Sequence, residues 1–261
     1  MQARDYRAKA LRALRGKWIP MAALMLLASA AIVVLAGIFI FAAMGPLMVS
    51  AFQGLDRMVY GAETTSELVK IPASFFVVLI IGGAVTLAAA SVLLVGLSDA
   101  ARTLLRGGTP RPRQLFPARL LGKAVAMNFL RFGLVFVQSL ALIVPGVIAA
   151  LRYSMADYLL AAHPKLGPVE ALRQSSRRMR GRKKELFLLA IGFIGCMIAC
   201  MLPFIAVRLG AARLSFAALG LTLITFLLGF AGQIFVGAYQ LVALTVFFCR
   251  ADKPAKKRGS K

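Results

Sequence analysis

Few side chains in this sequence could take part in acid–base, nucleophilic or metal chemistry. The chain has one histidine, His163, and nine acidic residues, most of them in polar segments between apolar runs. Cys196 and Cys200 share a helical face, but a metal site needs further ligands and His163 lies in a different segment. No catalytic triad or metal-ligand spacing is present. We therefore expect no enzymatic activity, no catalytic or metal-binding residue, and no cofactor.

Three charged residues, Arg131, Arg152 and Asp157, stand inside an apolar region, residues 124–163, where a lone charge is costly. A charge at the centre of a bilayer costs about 2.5 to 3.5 kcal/mol. The motif Val144-Pro145-Gly146 near the middle of this region predicts an external turn between two helices. Counting away from that turn places Asp157 opposite Arg131. We therefore predict an intramembrane ion pair between them, either as a clamp for the hairpin or as part of a substrate or proton site.

Two further polar side chains are expected within the membrane. Arg152 lies nearer the predicted turn, so its long side chain should reach outward to the external surface. Gln233 lies in a later apolar run and needs a hydrogen-bond partner there. In a transporter, these residues and the Arg131–Asp157 pair would line a polar path.

The densest positive charge of the chain lies between Arg152 and Lys184. Pro168 suits the first turn of a helix and Gly167 its N-cap, which predicts an amphipathic helix from Pro168 to Arg180 lying in the membrane plane. Each cation near an anionic leaflet contributes about 1 kcal/mol, although the positive-inside rule alone also explains such a cluster. The cations predicted to contact anionic headgroups are Arg173, Arg177, Arg178, Arg180, Arg182, Lys183 and Lys184.

The composition excludes an ordinary soluble domain. Of 261 residues, 60% are hydrophobic and 16% are charged, and the mean hydropathy is +0.82. The net charge of +23 would suggest nucleic acid in a soluble protein, but here the cations are segregated into loops between apolar runs. We therefore expect membrane lipids with anionic headgroups as partners, together with protein partners that the sequence does not identify, and no nucleic acid.

The apolar runs predict an all-α polytopic bundle of about six membrane helices with two in-plane amphipathic helices. The predicted membrane helices are 18–44, 71–98, the two arms of 124–163, 186–207, and 214–249. They form one integral membrane domain, 1–261, with an amphipathic cytoplasmic helix at 1–17, a basic amphipathic segment at 164–185 and a basic tail at 250–261.

The loops between the predicted helices set their orientation. Gly45-Pro46 is expected to end the first membrane helix, and the loop 47–70 is poor in cations and therefore external. Residues 99–123 are rich in Arg and therefore cytoplasmic. An even number of crossings then places both termini in the cytoplasm.

Several short motifs resemble a known family. They are Leu14-Arg15-Gly16-Lys17-Trp18, Pro145-Gly146, Tyr153-Ser154-Met155-Ala156, and Glu170-Ala171 followed by Ser175, Met179, Gly181 and Leu186-Phe187. The chain is similar to an uncharacterised bacterial integral membrane family, domain of unknown function nine-seven-five. More distantly it resembles the membrane domain that precedes some glycerophosphodiester phosphodiesterases. The resemblance implies a bacterial cytoplasmic membrane protein and no activity. Family members commonly have an uncharged residue at Asp157, so the predicted ion pair would be a local feature.

Two functions therefore fit the sequence. The first is a non-enzymatic membrane protein, a scaffold or a factor that binds lipid or a partner through its basic segments. The second is a small transporter or channel component. The first is favoured because coupled transport usually needs several membrane acids, and Asp157 is the only acidic residue deep in a predicted span.

Overall fold

The computed structural model describes residues 3–60, 71–210 and 216–252, and all regular structure in these ranges is helical. This confirms the predicted all-α class. Two short 3-10 helices, Pro112–Leu115 and Ala118–Leu120, lie between the third and fourth α-helices. The α-helices are α1 (Ala3–Leu14), α2 (Trp18–Tyr60), α3 (Ala73–Leu105), α4 (Leu121–Ala141), α5 (Ile143–Tyr153), α6 (Ala156–Ala162), α7 (Pro168–Arg178), α8 (Lys183–Gly210) and α9 (Phe216–Asp252).

Five of these helices are long and apolar enough to cross a membrane: α2, α3, α4, α8 and α9. An apolar helix of about 20 residues spans the hydrocarbon core, so the chain is embedded in a membrane. The residues predicted to form the sixth crossing fold as two short helices, α5 and α6, separated by a break at Ser154 and Met155, and neither is among the five helices long enough to span a membrane. Ser175 on α7 donates a hydrogen bond of 2.9 Å to the Arg152 carbonyl, which supplies a partner to the backbone at the break.

Three helix boundaries differ from the prediction. The first membrane helix does not stop at Gly45-Pro46, because α2 continues through Pro46 to Tyr60. A proline removes one backbone hydrogen bond, but an apolar helix offers the flanking backbone no better partner than itself. The last helix, α9, ends at Asp252 and not at residue 249, and α3 extends beyond residue 98 to Leu105. Part of the predicted external loop, residues 61–70, and the tail residues 253–261 lie outside the described ranges.

The hairpin of α4 and α5 is present, but its turn lies earlier than predicted. The single residue Leu142 is extended, with φ −166° and ψ 147°, and Pro145 already lies in the first turn of α5. Gly146 instead allows the two helices to touch, since a Cβ there would lie 2.2 Å from Ser139 Oγ. Pro145 and Gly146, which were expected to form the turn, therefore lie in the first turn of α5, where Gly146 contacts Ser139 of α4.

The buried core is concentrated at one end of the bundle. We call this the basic end; it consists of α1, residues 106–120, α7 and the adjoining ends of the long helices. Its largest cluster includes Tyr6, Leu14, Phe193 and Phe247, all at most 2% exposed. Towards the opposite end the long helices expose large apolar side chains, which is the surface that acyl chains would cover. Examples are Phe41, Ile80 and Leu228, at 83%, 71% and 67%.

The apolar faces of the two amphipathic helices are buried in protein. Ala10 and Leu14 on α1 are fully buried, as are Leu172 on α7 and Met179 at its end. This corrects the expectation that both faces insert into lipid. Val169, in the first turn of α7, is exposed, at 66%. An amphipathic pattern indicates that one face is buried, but it does not distinguish a lipid from a protein neighbour.

Both amphipathic helices end in the same way before a membrane helix. Gly16 and Gly181 each have φ +77°, the left-handed conformation that glycine adopts readily at a helix end. The amide of Lys17 bonds to the Leu14 carbonyl at 2.8 Å, and the amide of Arg182 to the Met179 carbonyl at 3.2 Å. Both glycines therefore end a helix, and the similar sequences Leu14–Lys17 and Met179–Arg182 form similar turns.

Candidate functional site

The structure brings Arg131 and Asp157 into direct contact between α4 and α6. Arg131 Nη1 lies 2.6 Å from Asp157 Oδ2, and the two side chains are 23% and 13% exposed. Arg131 stands ten residues beyond Leu121, the first residue of α4, which is about 15 Å along the helix axis. It therefore lies within one of the five helices suited to cross a membrane.

Asn128 completes this contact and was not recognised from the sequence. Its Nδ2 donates to Asp157 Oδ1 at 3.0 Å and to the Ala124 carbonyl at 3.2 Å, and the residue is 2% exposed. Both carboxylate oxygens of Asp157 thus accept a hydrogen bond. The available signal was the spacing of Asn128 and Arg131, three positions apart on one helical face. The buried Oδ1 of Asn128 has no hydrogen-bond partner among the described residues.

Arg152 does not reach the external surface as expected. Its Nε donates to Ser176 Oγ on α7, and its guanidinium lies 5.7 Å from the centre of the Tyr153 ring. The side chain therefore points towards the basic end. The prediction was wrong because it assumed a continuous second arm, whereas the chain breaks directly after Tyr153 and α7 packs against the break.

Gln233 has the hydrogen-bond partner that its position requires. Its Nε2 donates to the Met197 carbonyl at 3.2 Å and so links α9 to α8. The intramembrane polar residues predicted from the sequence thus take part in three separate contacts. Arg131 and Asp157 contact each other and Asp157 also contacts Asn128, Arg152 contacts α7, and Gln233 contacts α8.

The predicted lipid-binding cations differ in their surroundings. Arg173, Arg177, Arg180 and Lys184 are exposed, whereas Arg182 and Lys183 are partly buried. Arg178 forms an ion pair with Asp252 at the end of α9, so it joins two helices. His163 Nε2 lies 3.5 Å from the same carboxylate. Burial, followed by the nearby charges of Arg178 and Arg102, lowers the pKa of His163 below its usual 6.5.

Other cations of the basic end bind backbone carbonyls at helix ends. Arg102 Nη1 donates to the Ala161 carbonyl at the end of α6 at 2.6 Å. Lys17 donates to the carbonyls of Gly107 and Gly108, just after α3. Terminal carbonyls carry the negative end of the helix dipole and lack partners within the helix, so a cation stabilises them. The sequence pattern indicates only that these cations lie on the cytoplasmic side, because the carbonyls that they contact are far away in sequence.

Among the described residues, no group of three or more His, Cys, Asp or Glu side chains could hold a metal ion. Cys196 is exposed and Cys200 partly exposed, and both lie on α8. The residues that the structure brings together are thus cations, carbonyls and a few carboxylates. Such an arrangement can bind anions and hold helices in place.

Comparison with known proteins gives one match. A family model described as "Protein of unknown function (DUF975)" matches residues 65–253. No curated protein and no solved structure matches the chain. The family is the one that the sequence motifs resemble, while the more distant likeness to the membrane domain of glycerophosphodiester phosphodiesterases remains a resemblance.

Proposed function

Because the chain belongs to the DUF975 family of proteins of unknown function, we propose that it is a non-enzymatic, multi-pass membrane protein that binds anionic lipid headgroups. The binding surface consists of four exposed cations: Arg173 and Arg177 on α7, Arg180 between α7 and α8, and Lys184 in the first turn of α8. A scaffold that holds a protein partner against the same membrane surface fits this arrangement as well.

The observation that carries the proposal is the way α7 is held. Ala171, Leu172, Ser175 and Ser176 are buried against the bundle, and Ser175 is bonded to the Arg152 carbonyl. The apolar side of α7 is therefore occupied by protein, and its cations are presented on a fixed surface. Each exposed cation near an anionic leaflet contributes about 1 kcal/mol, so four of them give substantial attraction without insertion into the hydrocarbon.

The same charges support an orientation. If the basic end lies in the cytoplasm of a bacterium, the positive-inside rule is satisfied by α1, residues 106–120 and α7 together. The protein then lies in the cytoplasmic membrane with both termini in the cytoplasm, where the anionic leaflet also lies.

A transporter or channel component is the second candidate. The observation in its favour is the polar cluster of Asn128, Arg131 and Asp157 inside a candidate membrane span. However, Arg152 and Gln233 each have a local partner elsewhere in the bundle. These separate contacts support a structural use of the polar groups more than a shared path. Substrate-stimulated flux in liposomes would favour the transporter.

Reconstitution can test the lipid proposal. The triple variant Arg173→Glu, Arg177→Glu and Arg180→Glu is placed in nanodiscs that contain a minor fraction of phosphatidylglycerol in phosphatidylcholine. Retention of phosphatidylglycerol around the protein is then measured by mass spectrometry after partial delipidation. We expect wild-type protein to retain phosphatidylglycerol preferentially and the variant to lose most of this preference.

A matched variant separates this surface from general positive charge. Arg12, Arg113 and Arg119 are also exposed cations of the basic end, and their reversal to Glu changes the net charge by the same amount. We expect this control to keep the preference. Equal losses in both variants would mean that the preference for phosphatidylglycerol depends on overall positive charge and not on this surface, and would overturn the proposal.

A further inference from the structure

A cavity of about 610 Å³ lies at the basic end, between α1, α3, α6 and α9. It is separate from the exposed surface of α7. Four of its lining residues are cationic: Lys9, Arg102, Arg106 and Arg250. Two tyrosines, Tyr6 and Tyr158, and the apolar side chains of Leu105 and Val246 also line it.

The cavity carries an excess of positive charge. No carboxylate is among its lining residues. Two acids contact lining residues: Asp99 Oδ1 is 3.5 Å from Arg102 Nη1, and Glu185 Oε2 is 3.5 Å from the Tyr6 hydroxyl, while Asp5 stands four residues before Lys9 on α1. In the described part of the chain, Lys9 and Arg106 take part in no ion pair. A cleft lined by one sign of charge concentrates ions of the opposite sign.

Two of the cations are held in place by buried aromatic rings. Arg102 donates to the Ala161 carbonyl at 2.6 Å and lies 5.5 Å from the Tyr158 ring centre. Arg250 donates to the Tyr6 hydroxyl at 2.9 Å and lies 5.9 Å from the Tyr6 ring centre. Both tyrosines are at most 5% exposed. A guanidinium has five N–H donors, so each arginine keeps donors for a ligand after making these contacts.

We propose that this cavity binds a phosphate ester that also carries an apolar portion. Arginine recognises phosphate through paired N–H donors, and a lysine adds a flexible point charge. The volume is in the range of small-molecule sites and well above that of a lone phosphate. Leu105 and Val246 supply an apolar wall for the remainder of the ligand. The phosphate can belong to a lipid headgroup or to a soluble metabolite.

Binding to the purified full-length protein in a neutral detergent tests this site. The probes are dihexanoyl phosphatidylglycerol, below its own micelle concentration, and glycerol 3-phosphate, each titrated by calorimetry. The cavity variant is Lys9→Gln with Arg106→Gln, since neither side chain is used in an ion pair of the described structure and the fold should be kept. The control is Arg113→Gln with Arg119→Gln, exposed at the same end and equal in charge change.

We expect the cavity variant to weaken binding at least roughly tenfold, because two charge-assisted contacts are lost, and the control to bind like wild type. Binding of the lipid probe alone assigns the site to headgroups, and binding of glycerol 3-phosphate assigns it to soluble phosphate esters. The proposal is overturned if wild-type protein binds neither probe at millimolar concentration, or if both variants lose affinity equally. The triple reversal on α7 should leave this affinity unchanged, so the two proposals fail independently.

Discussion

At the scale of single residues, the cations of this protein have two different uses. Arg102, Arg131, Arg152 and Arg178 contact a carbonyl, a hydroxyl or a carboxylate of the protein itself. Arg173 and Arg177 on α7 are exposed, as is Lys184 in the first turn of α8. Residue type alone does not distinguish these two groups, because arginine suits both a buried bidentate contact and a lipid headgroup. The contacts that each side chain makes in the structure distinguish them.

The Arg131–Asp157 pair gives the first prediction. Asp157→Leu leaves the guanidinium and Asn128 without the carboxylate, and we expect the free energy of unfolding to fall by about 2 to 4 kcal/mol. The double variant Arg131→Leu with Asp157→Leu removes both charges and should recover most of this loss. Unfolding in mixed micelles, followed by circular dichroism, measures both.

The ion pair of Asp99 and Arg102, 3.5 Å apart with the Asp99 side chain 44% exposed, provides the comparison. Asp99→Asn should cost less than about 1 kcal/mol, because water solvates Asp99 and Arg102 keeps its bond to the Ala161 carbonyl. If the double variant at Arg131 and Asp157 is no more stable than the single one, the pair does not clamp the hairpin.

At the scale of elements, close contacts between helices depend on particular glycines. A Cβ on Gly82 would lie 2.5 Å from Phe39 Cβ on α2, so the missing side chain lets the two helices approach closely. A Cβ on Gly83, by contrast, would meet nothing within 4 Å. Gly96, which the sequence did not single out, lies against the backbone of residues 114 and 115. It lets α3 approach the first 3-10 helix.

Gly96 gives the second prediction. A Cβ there would lie 2.5 Å from the Gln114 carbonyl oxygen and 2.7 Å from Leu115 Cα, and backbone cannot move aside as a flexible side chain can. We expect Gly96→Ala to destabilise the protein by about 1 to 3 kcal/mol. Its melting temperature in detergent, read by intrinsic fluorescence or circular dichroism, should fall.

Gly83→Ala on the same helix is the matched variant. Alanine forms helix more readily than glycine and has open space at this position. Its melting temperature should therefore stay the same or rise slightly. Equal destabilisation by both substitutions would show that α3 does not depend on this close approach.

The hairpin of α4 and α5 shows how far the sequence determines an element. The Val144-Pro145-Gly146 motif predicted the hairpin, and the cost of burying charge predicted the pairing of Arg131 with Asp157; both are present. The turn lies at Leu142 because Pro145 suits the first turn of a helix as well as a turn. The break at Ser154 had no glycine or proline to mark it, so the direction of Arg152 was predicted wrongly. At the break the Arg152 carbonyl is bonded to Ser175 of α7, and the local sequence pattern does not predict where α7 packs.

At the scale of the whole molecule, the bundle is packed at its basic end and open to lipid elsewhere. The buried clusters draw on α1, α3, α6, α7, α8 and α9 close to their charged ends. The hydropathy of the long helices predicted their approximate positions, and the amphipathic pattern predicted α1 and α7. Neither pattern identified protein as the neighbour of those two helices, since burial against lipid and burial against protein select the same residues.

Orientation gives the third prediction. In a chain with Cys196, Cys200 and Cys249 replaced by Ala, a single new cysteine is introduced by Arg173→Cys or by Arg208→Cys, both exposed and at opposite ends of the bundle. A membrane-impermeant maleimide applied to intact cells should label position 208 directly and position 173 only after permeabilisation. Labelling of both positions from one side would contradict an arrangement with the basic end in the cytoplasm.

The contact between α1 and α9 also bears on biosynthesis. Tyr6 packs edge-on against Phe247, with ring centres 5.4 Å apart, and its hydroxyl accepts a hydrogen bond from Arg250, 244 positions later in the chain. While the ribosome is still making the intervening helices, the buried side of α1 has no α9 to cover it. The membrane surface is then the nearest apolar environment for this side, so we expect α1 to lie there until α9 has been inserted and to pack onto the bundle afterwards.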